Sequence, residues 1–74
     1  MNSAELCQKN GWTVGTRLMG DEGYGSTCII LITAVGEENI LARVVSRNGI
    51  PWRDCESNWT LECRDWHVYQ EGKP

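Results

Sequence analysis

The sequence predicts a small, mainly β protein, an SH3-like barrel of five short strands behind a short amino-terminal helix, with an OB-like barrel as the alternative architecture. Three observations lead there. Between Gly11 and Tyr69 the chain runs in short β-branched or aromatic segments broken by Gly, Asn and Pro. Two of these segments, TCIILITAV and ILARVVSR, flank the stretch GEEN in the manner of a hairpin. Four Trp and two Tyr, with no Phe, supply large anchors for a core that a chain of 74 residues otherwise makes thin.

The organisation that follows is a helix over residues 1–10, a barrel over 11–69 and a loose tail over 70–74. Asn2 with Glu5 three residues later has the spacing of a capping box, and Gly11 supplies the stop. Two helical turns do not hold themselves in water, so the helix must dock, with Leu6 and Cys7 facing the body. The first strand is expected over Trp12–Met19, followed by a glycine-rich loop from Gly20 to Ser26. That loop lacks the Gly-Lys-Ser/Thr ending of a phosphate cradle, carries two acids and leads into a strand, which disfavours phosphate binding there.

The hairpin from Thr27 to Arg47 is the clearest signal. With Glu37-Glu38-Asn39 as a three-residue loop and Asn39 left-handed, even-numbered residues sit opposite even-numbered ones. The inner face then carries Cys28, Ile30, Ile32, Ala34, Ile40, Ala42, Val44 and Ser46. The outer face carries Ile29, Leu31, Thr33, Val35, Leu41, Arg43, Val45 and Arg47. Ile29, Leu31, Val35, Leu41, Arg43, Val45 and Arg47 form the candidate interaction face, too apolar for ordinary solvent exposure and too charged for a core. The alternative is that a terminus or the helix covers part of it. Beyond the Asn48-Gly49 turn pair, Ile50–Cys55 reads as irregular loop, followed by a short strand near Asn58–Leu61, a tight turn and a last strand over Trp66–Tyr69. In these strands Trp59, Leu61, Trp66 and Val68 point into the core.

The chemistry-bearing residues cluster near the end. Cys55, Cys63 and His67 have the spacing C-x7-C-x3-H, which lacks the close cysteine pair and fourth ligand of a structural zinc site. Cys63, Asp65 and His67 alternate along one strand face, but residues four apart on a strand lie some 13 Å apart, far beyond the ~3 Å reach of a base for its nucleophile. No catalytic residue, metal or cofactor is therefore assigned. The four cysteines contain no C-x-x-C pair and, without a secretory leader, read as thiols of a soluble intracellular protein. No apolar run approaches a membrane span.

A net charge of -3, with seven Lys and Arg scattered along the chain, disfavours general nucleic-acid binding. The alternative function is nucleic-acid binding by a Tudor-like or KOW-like small barrel, with Trp12, Tyr24, Trp52 and Arg53 as the stacking face and Arg43, Arg47 and Arg53 on phosphates. The reading that covers most residues is a non-enzymatic module for a protein partner or a second copy of itself.

The strings G-W-x-V-G at the start, I-T-A-V-G-E with I-L-A-R in the hairpin and E-S-x-W-T-L-x-C-R-D-W near the end resemble short uncharacterised proteins of bacteriophages and prophages, over roughly residues 11–66. The resemblance implies a phage accessory product acting in a bacterial host cytoplasm, with a host protein as the class of partner. It transfers no activity and no functional residue.

Overall fold

The computed structural model describes residues 2–23, 25–62 and 65–69, without the side chains of residues 21–23. Helix α1, Ser3–Asn10, is followed by six strands: β1 Arg17–Gly23, β2 Ser26–Val35, β3 Ile40–Arg47, β4 Ile50–Pro51, β5 Ser57–Trp59 and β6 Trp66–Val68. They form one antiparallel sheet in the order β4-β3-β2-β1-β6, with β5 beside the other end of β3. The fold is mainly β and barrel-like, as the sequence predicts. The sheet has six strands because the Asn48-Gly49 turn folds Ile50–Pro51 back onto β3. Asn48 and Gly49 have φ of 54° and 81°, the doubly left-handed geometry that a two-residue hairpin connection requires.

The helix forms as its caps dictate. The Asn2 side chain accepts from the Glu5 N–H at 2.8 Å, the Glu5 carboxylate accepts from the Asn2 N–H at 3.0 Å, and Gly11 closes the far end at φ 74°. Eight residues need docking to persist. Ser3, Ala4 and Cys7 are buried, Leu6 packs at the core margin, and the Ala4 N–H donates to the Glu38 carbonyl at the β2–β3 connection. Ser3 adds a tie to the segment after β5: its Oγ accepts from the Leu61 N–H at 3.0 Å and donates to Glu62 Oε1 at 3.4 Å.

The helix lies on the inner face. Cys7 joins Leu18, Cys28, Ile30, Ile32, Ile40, Ala42, Val44, Leu61 and Trp66 in one cluster, with Trp12, Val35 and Trp59 packed against its rim. Trp59 from the β3 edge and Trp66 from the β1 edge meet edge to face with ring centroids 5.9 Å apart, so an aromatic pair draws the two ends of the sheet together. Trp66 needs room at β1. A Cβ on Gly20, its ladder partner, would stand 2.5 Å from Trp66 Cε3 and 2.6 Å from Cζ3. Gly20 is therefore a strand residue beneath an indole and not the first residue of a loop. β1 continues to Gly23, which pairs with Ser26.

Other boundaries differ from expectation for local reasons. Trp12–Thr16 is a turn, closed by Thr16 N–H to the Thr13 carbonyl and Thr13 N–H to Thr16 Oγ1, and the strand begins only at Arg17. The β2–β3 loop is Gly36–Asn39, with Val35 paired to Ile40 and the Gly36 N–H donating to the Asn39 carbonyl; Asn39 does not adopt positive φ. Even residues oppose even ones only in the centre, at Ile30↔Val44 and Ile32↔Ala42.

On either side a bulge shifts the register by one residue and exchanges faces. Past Thr33, the pair Val35↔Ile40 turns inward, while Ala34↔Leu41 turns out and leaves Leu41 37% exposed. Past Val45, Ser46 joins Ile29 on the outer side and Arg47 moves opposite Cys28. Val35 and Arg47 thus leave the predicted outer face. Val68, expected in the core, pairs with Leu18 from the edge strand β6 and is 43% exposed. Among the described residues no helix is long and apolar enough to cross a membrane.

Two substitutions test this packing. Gly20→Ala should cost about 1–3 kcal/mol by overpacking, measured by urea unfolding, and in a Trp66→Leu background that cost should fall to within about 0.5 kcal/mol of zero. An equal cost in both backgrounds would mean the indole is not what excludes a side chain there. Ser3→Ala should destabilise by about 1–3 kcal/mol, since it leaves the buried Leu61 N–H without its acceptor.

Candidate functional site

With α1 committed to the inner side, the opposite side of the sheet remains, and the ladders lay out its residues in rows. One row crosses five strands: His67, Met19, Ile29, Ser46 and Pro51, from β6 to β4. The next row holds Arg17, Leu31 and Arg43, with Tyr69 beside Arg17 through its N–H to the Arg17 carbonyl at 2.8 Å. Val45, the bulged residue, adds a second β3 side chain to the first row. Sheet twist and the folded-back β4 turn these rows into a groove of about 400 Å³. Its floor is Met19, Ile29 and Val45; its ends are Arg17 with Tyr69 and the β3–β4 turn with Pro51; Thr27 and Ser46 supply hydroxyls.

The turn that builds one wall is held from two directions. Asn48 donates its N–H to the Thr27 carbonyl at 2.9 Å and accepts the Thr27 N–H on Oδ1 at 2.9 Å. That side chain does the work of a further ladder pair, so the wall is fixed to β2. In the groove, Ile29 is 8% exposed, while Met19, Val45, Arg17 and Tyr69 are half-buried.

Of the predicted interaction face, the structure keeps Ile29, Leu31, Arg43 and Val45 together on this side, with Leu41 exposed farther along near the β2–β3 loop. Val35 belongs to the core rim, and Arg47 lies with its Cζ 5.4 Å from the Trp52 ring centroid. Arg17, Met19, Pro51 and Tyr69, which no pattern within the hairpin reveals, complete the site. Met19 was legible as alternating with Leu18; its meeting with Ile29 depends on the β1–β2 register, which the glycine-rich stretch conceals.

Of the alternative stacking face, Trp52 and Arg53 line one small depression together with Arg43. Trp12 is drawn against the core rim, Trp52 is 48% exposed beside β3 with its N–H on the Val45 carbonyl, Arg53 is exposed, and Tyr24 lies outside the described residues.

Cys55 is exposed, His67 stands exposed on β6 opposite Met19, and Cys63 lies outside the described residues, as does Arg64. Among the described residues no three or more of His, Cys, Asp and Glu are placed to hold a metal ion. Glu56 instead accepts a hydrogen bond from the hydroxyl of Thr33, pinning the segment before β5 to the bulge. Cys7 and Cys28 are buried in the core, and burial pushes the Cys7 thiol above its ordinary value of 9.0.

A family model described as a domain of unknown function, DUF7241, matches residues 1–71, a span that takes in α1 and all six strands. The chain belongs to the DUF7241 family. No curated protein and no solved structure matches it.

The thiols give a direct check on which parts of this molecule are open. At pH 8 a thiol reagent should modify Cys55 promptly and Cys7 only at the rate of opening of the core. A raised thiol value in the folded state also means that the stability held by protonated Cys7 is complete below the unfolded value and is lost as pH rises past it. Cys7→Ala should accordingly flatten the fall in stability between pH 8 and pH 10, measured by urea unfolding across that range.

Proposed function

We propose that this protein is a non-enzymatic protein-interaction module that binds its partner through the outer face of the β1–β2–β3 sheet. The observation that carries the reading is the continuous apolar floor of Met19, Ile29 and Val45, bordered by Leu31 and Pro51, on the side of the sheet opposite α1. An apolar surface rimmed by polar and charged groups is the usual form of a recognition site. Its size suits one or two partner side chains inserted from an extended segment or a loop.

The partner is a host protein of the bacterium in which a phage accessory product acts, and the place of action is the bacterial cytoplasm. The resemblance of the G-W-x-V-G, I-T-A-V-G-E and E-S-x-W-T-L-x-C-R-D-W strings to phage and prophage proteins supports this part of the reading. The acidic balance, with ten Asp and Glu against seven Lys and Arg, favours a protein over a nucleic acid.

Affinity capture from a nuclease-treated bacterial lysate, comparing the wild type with Leu31→Glu/Val45→Glu, tests the proposal. Both positions are half-buried and outward, so the variant should keep its fold by circular dichroism while losing one dominant captured protein. Equal capture by both proteins contradicts the proposal. So does capture of nucleic acid as the main species from a parallel lysate left without nuclease.

A further inference from the structure

The geometry points to an acidic, apolar segment of a partner protein as the occupant of this groove: a carboxylate held by Arg17, with an adjoining aliphatic or aromatic side chain on Met19, Ile29 and Val45. This rests on the reading of the outer face given above and specifies the chemistry it selects. The argument starts from Arg17. It is half-buried at the end of the groove, and among the described residues its guanidinium has neither a hydrogen bond nor an ion pair. A guanidinium is always charged and presents five donors in a plane, so one set at the end of an apolar groove with no acceptor among the described residues is available to an anion.

A second cation reinforces it. Arg43 stands across Leu31 from Arg17 in the same row, about 10 Å away by the spacing of two strand separations, exposed and likewise without an ion pair among the described residues. Arg53 and Asp54 neighbour Arg43 along a shallower depression. In a chain with an excess of acids, two guanidiniums without ion pairs among the described residues flank Leu31 in the row beside the apolar floor, and that is charge complementarity to an acidic surface.

The remaining features suit a peptide and not a nucleic acid. The floor is aliphatic and bounded by Pro51 and the Asn48-Gly49 turn; Tyr69 alone brings a ring to this lining, while Trp12 packs at the core rim and Trp52 lines a separate depression. The hydroxyls of Thr27 and Ser46 border the floor, within reach of a peptide's main-chain groups.

Selection of a displayed library of random dodecapeptides against the full-length protein tests the inference, followed by titration of the enriched peptides with methyl-resolved NMR. The expected result is enrichment of Asp or Glu within two residues of Leu, Ile, Met, Val or an aromatic, with saturable shifts at the Met19, Ile29 and Val45 methyls. Arg17→Gln should weaken binding at least tenfold with an unchanged unfolding midpoint, whereas Arg17→Lys should retain part of it.

Enriched peptides that bind at those methyls but are neutral or basic, or that are indifferent to Arg17→Gln, overturn the acidic assignment and leave the interaction face standing. Shifts confined to other residues, or no enrichment at all, overturn both. A dimer in light scattering that competes with the peptides and is dispersed by Arg17→Gln makes the occupant a second copy of this chain and overturns the choice of a separate partner.

Discussion

Everything in this fold turns on the contact between Trp66 and Gly20. A sheet this small cannot bury much surface, so each large side chain must reach the centre. Trp66 does so from a three-residue edge strand, which is possible only because its ladder partner on β1 has no side chain. Trp59 then meets Trp66 from the opposite edge. The two indoles, Leu61 and Cys7 of helix α1 pack on the inner side of the sheet. With α1 committed there, it does not cover the outer side. The apolar outer row is thus a consequence of how the core is closed.

The two bulges make that outer surface specific. Without them, strict alternation would put Val35 and Arg47 outside and Ser46 inside. The extra residue at Thr33 sends Val35 to the core rim, and the extra residue at Val45 gives the groove two adjacent β3 side chains while removing Arg47 to the neighbourhood of Trp52. Bulges also increase local twist. A curled sheet lets β4 and β5 share the edge of β3, one at each end, and lets β4 rise as a wall. The paired β3 side chains of the groove and the curl that brings β4 beside them therefore share a cause in the irregularities of one hairpin, while the cationic end comes from Arg17 on β1.

Much of this was legible in the residues. The capping box, the glycine stop and the docking of Cys7 follow from spacing and from the instability of a two-turn helix. The inner positions Cys28, Ile30, Ile32, Ile40, Ala42 and Val44 follow from alternation, and all are buried. What alternation cannot show is where it breaks, because a β-branched run such as TCIILITAV fits either face at every position. Gly20 illustrates the same limit. Three glycines in a short stretch resemble a loop, and only the ring of Trp66, far along the chain, reveals that the first is a strand residue. The site was visible in part for the same reason: Ile29, Leu31, Arg43 and Val45 lie in one hairpin, but Arg17, Met19 and Tyr69 reach it through pairing between strands distant in sequence.

The most direct test of this account compares neighbours in the chain. Leu18 and Met19 are adjacent, as are Val44 and Val45, yet in each pair the first faces a filled core and the second an open groove. Relaxation of their methyl protons by a soluble paramagnetic probe reads that difference residue by residue. The account predicts strong enhancement at Met19 and Val45 and almost none at Leu18 and Val44. Equal protection within each pair would mean that something covers the outer face, and the separation into a closed inner side and an open outer one would not stand.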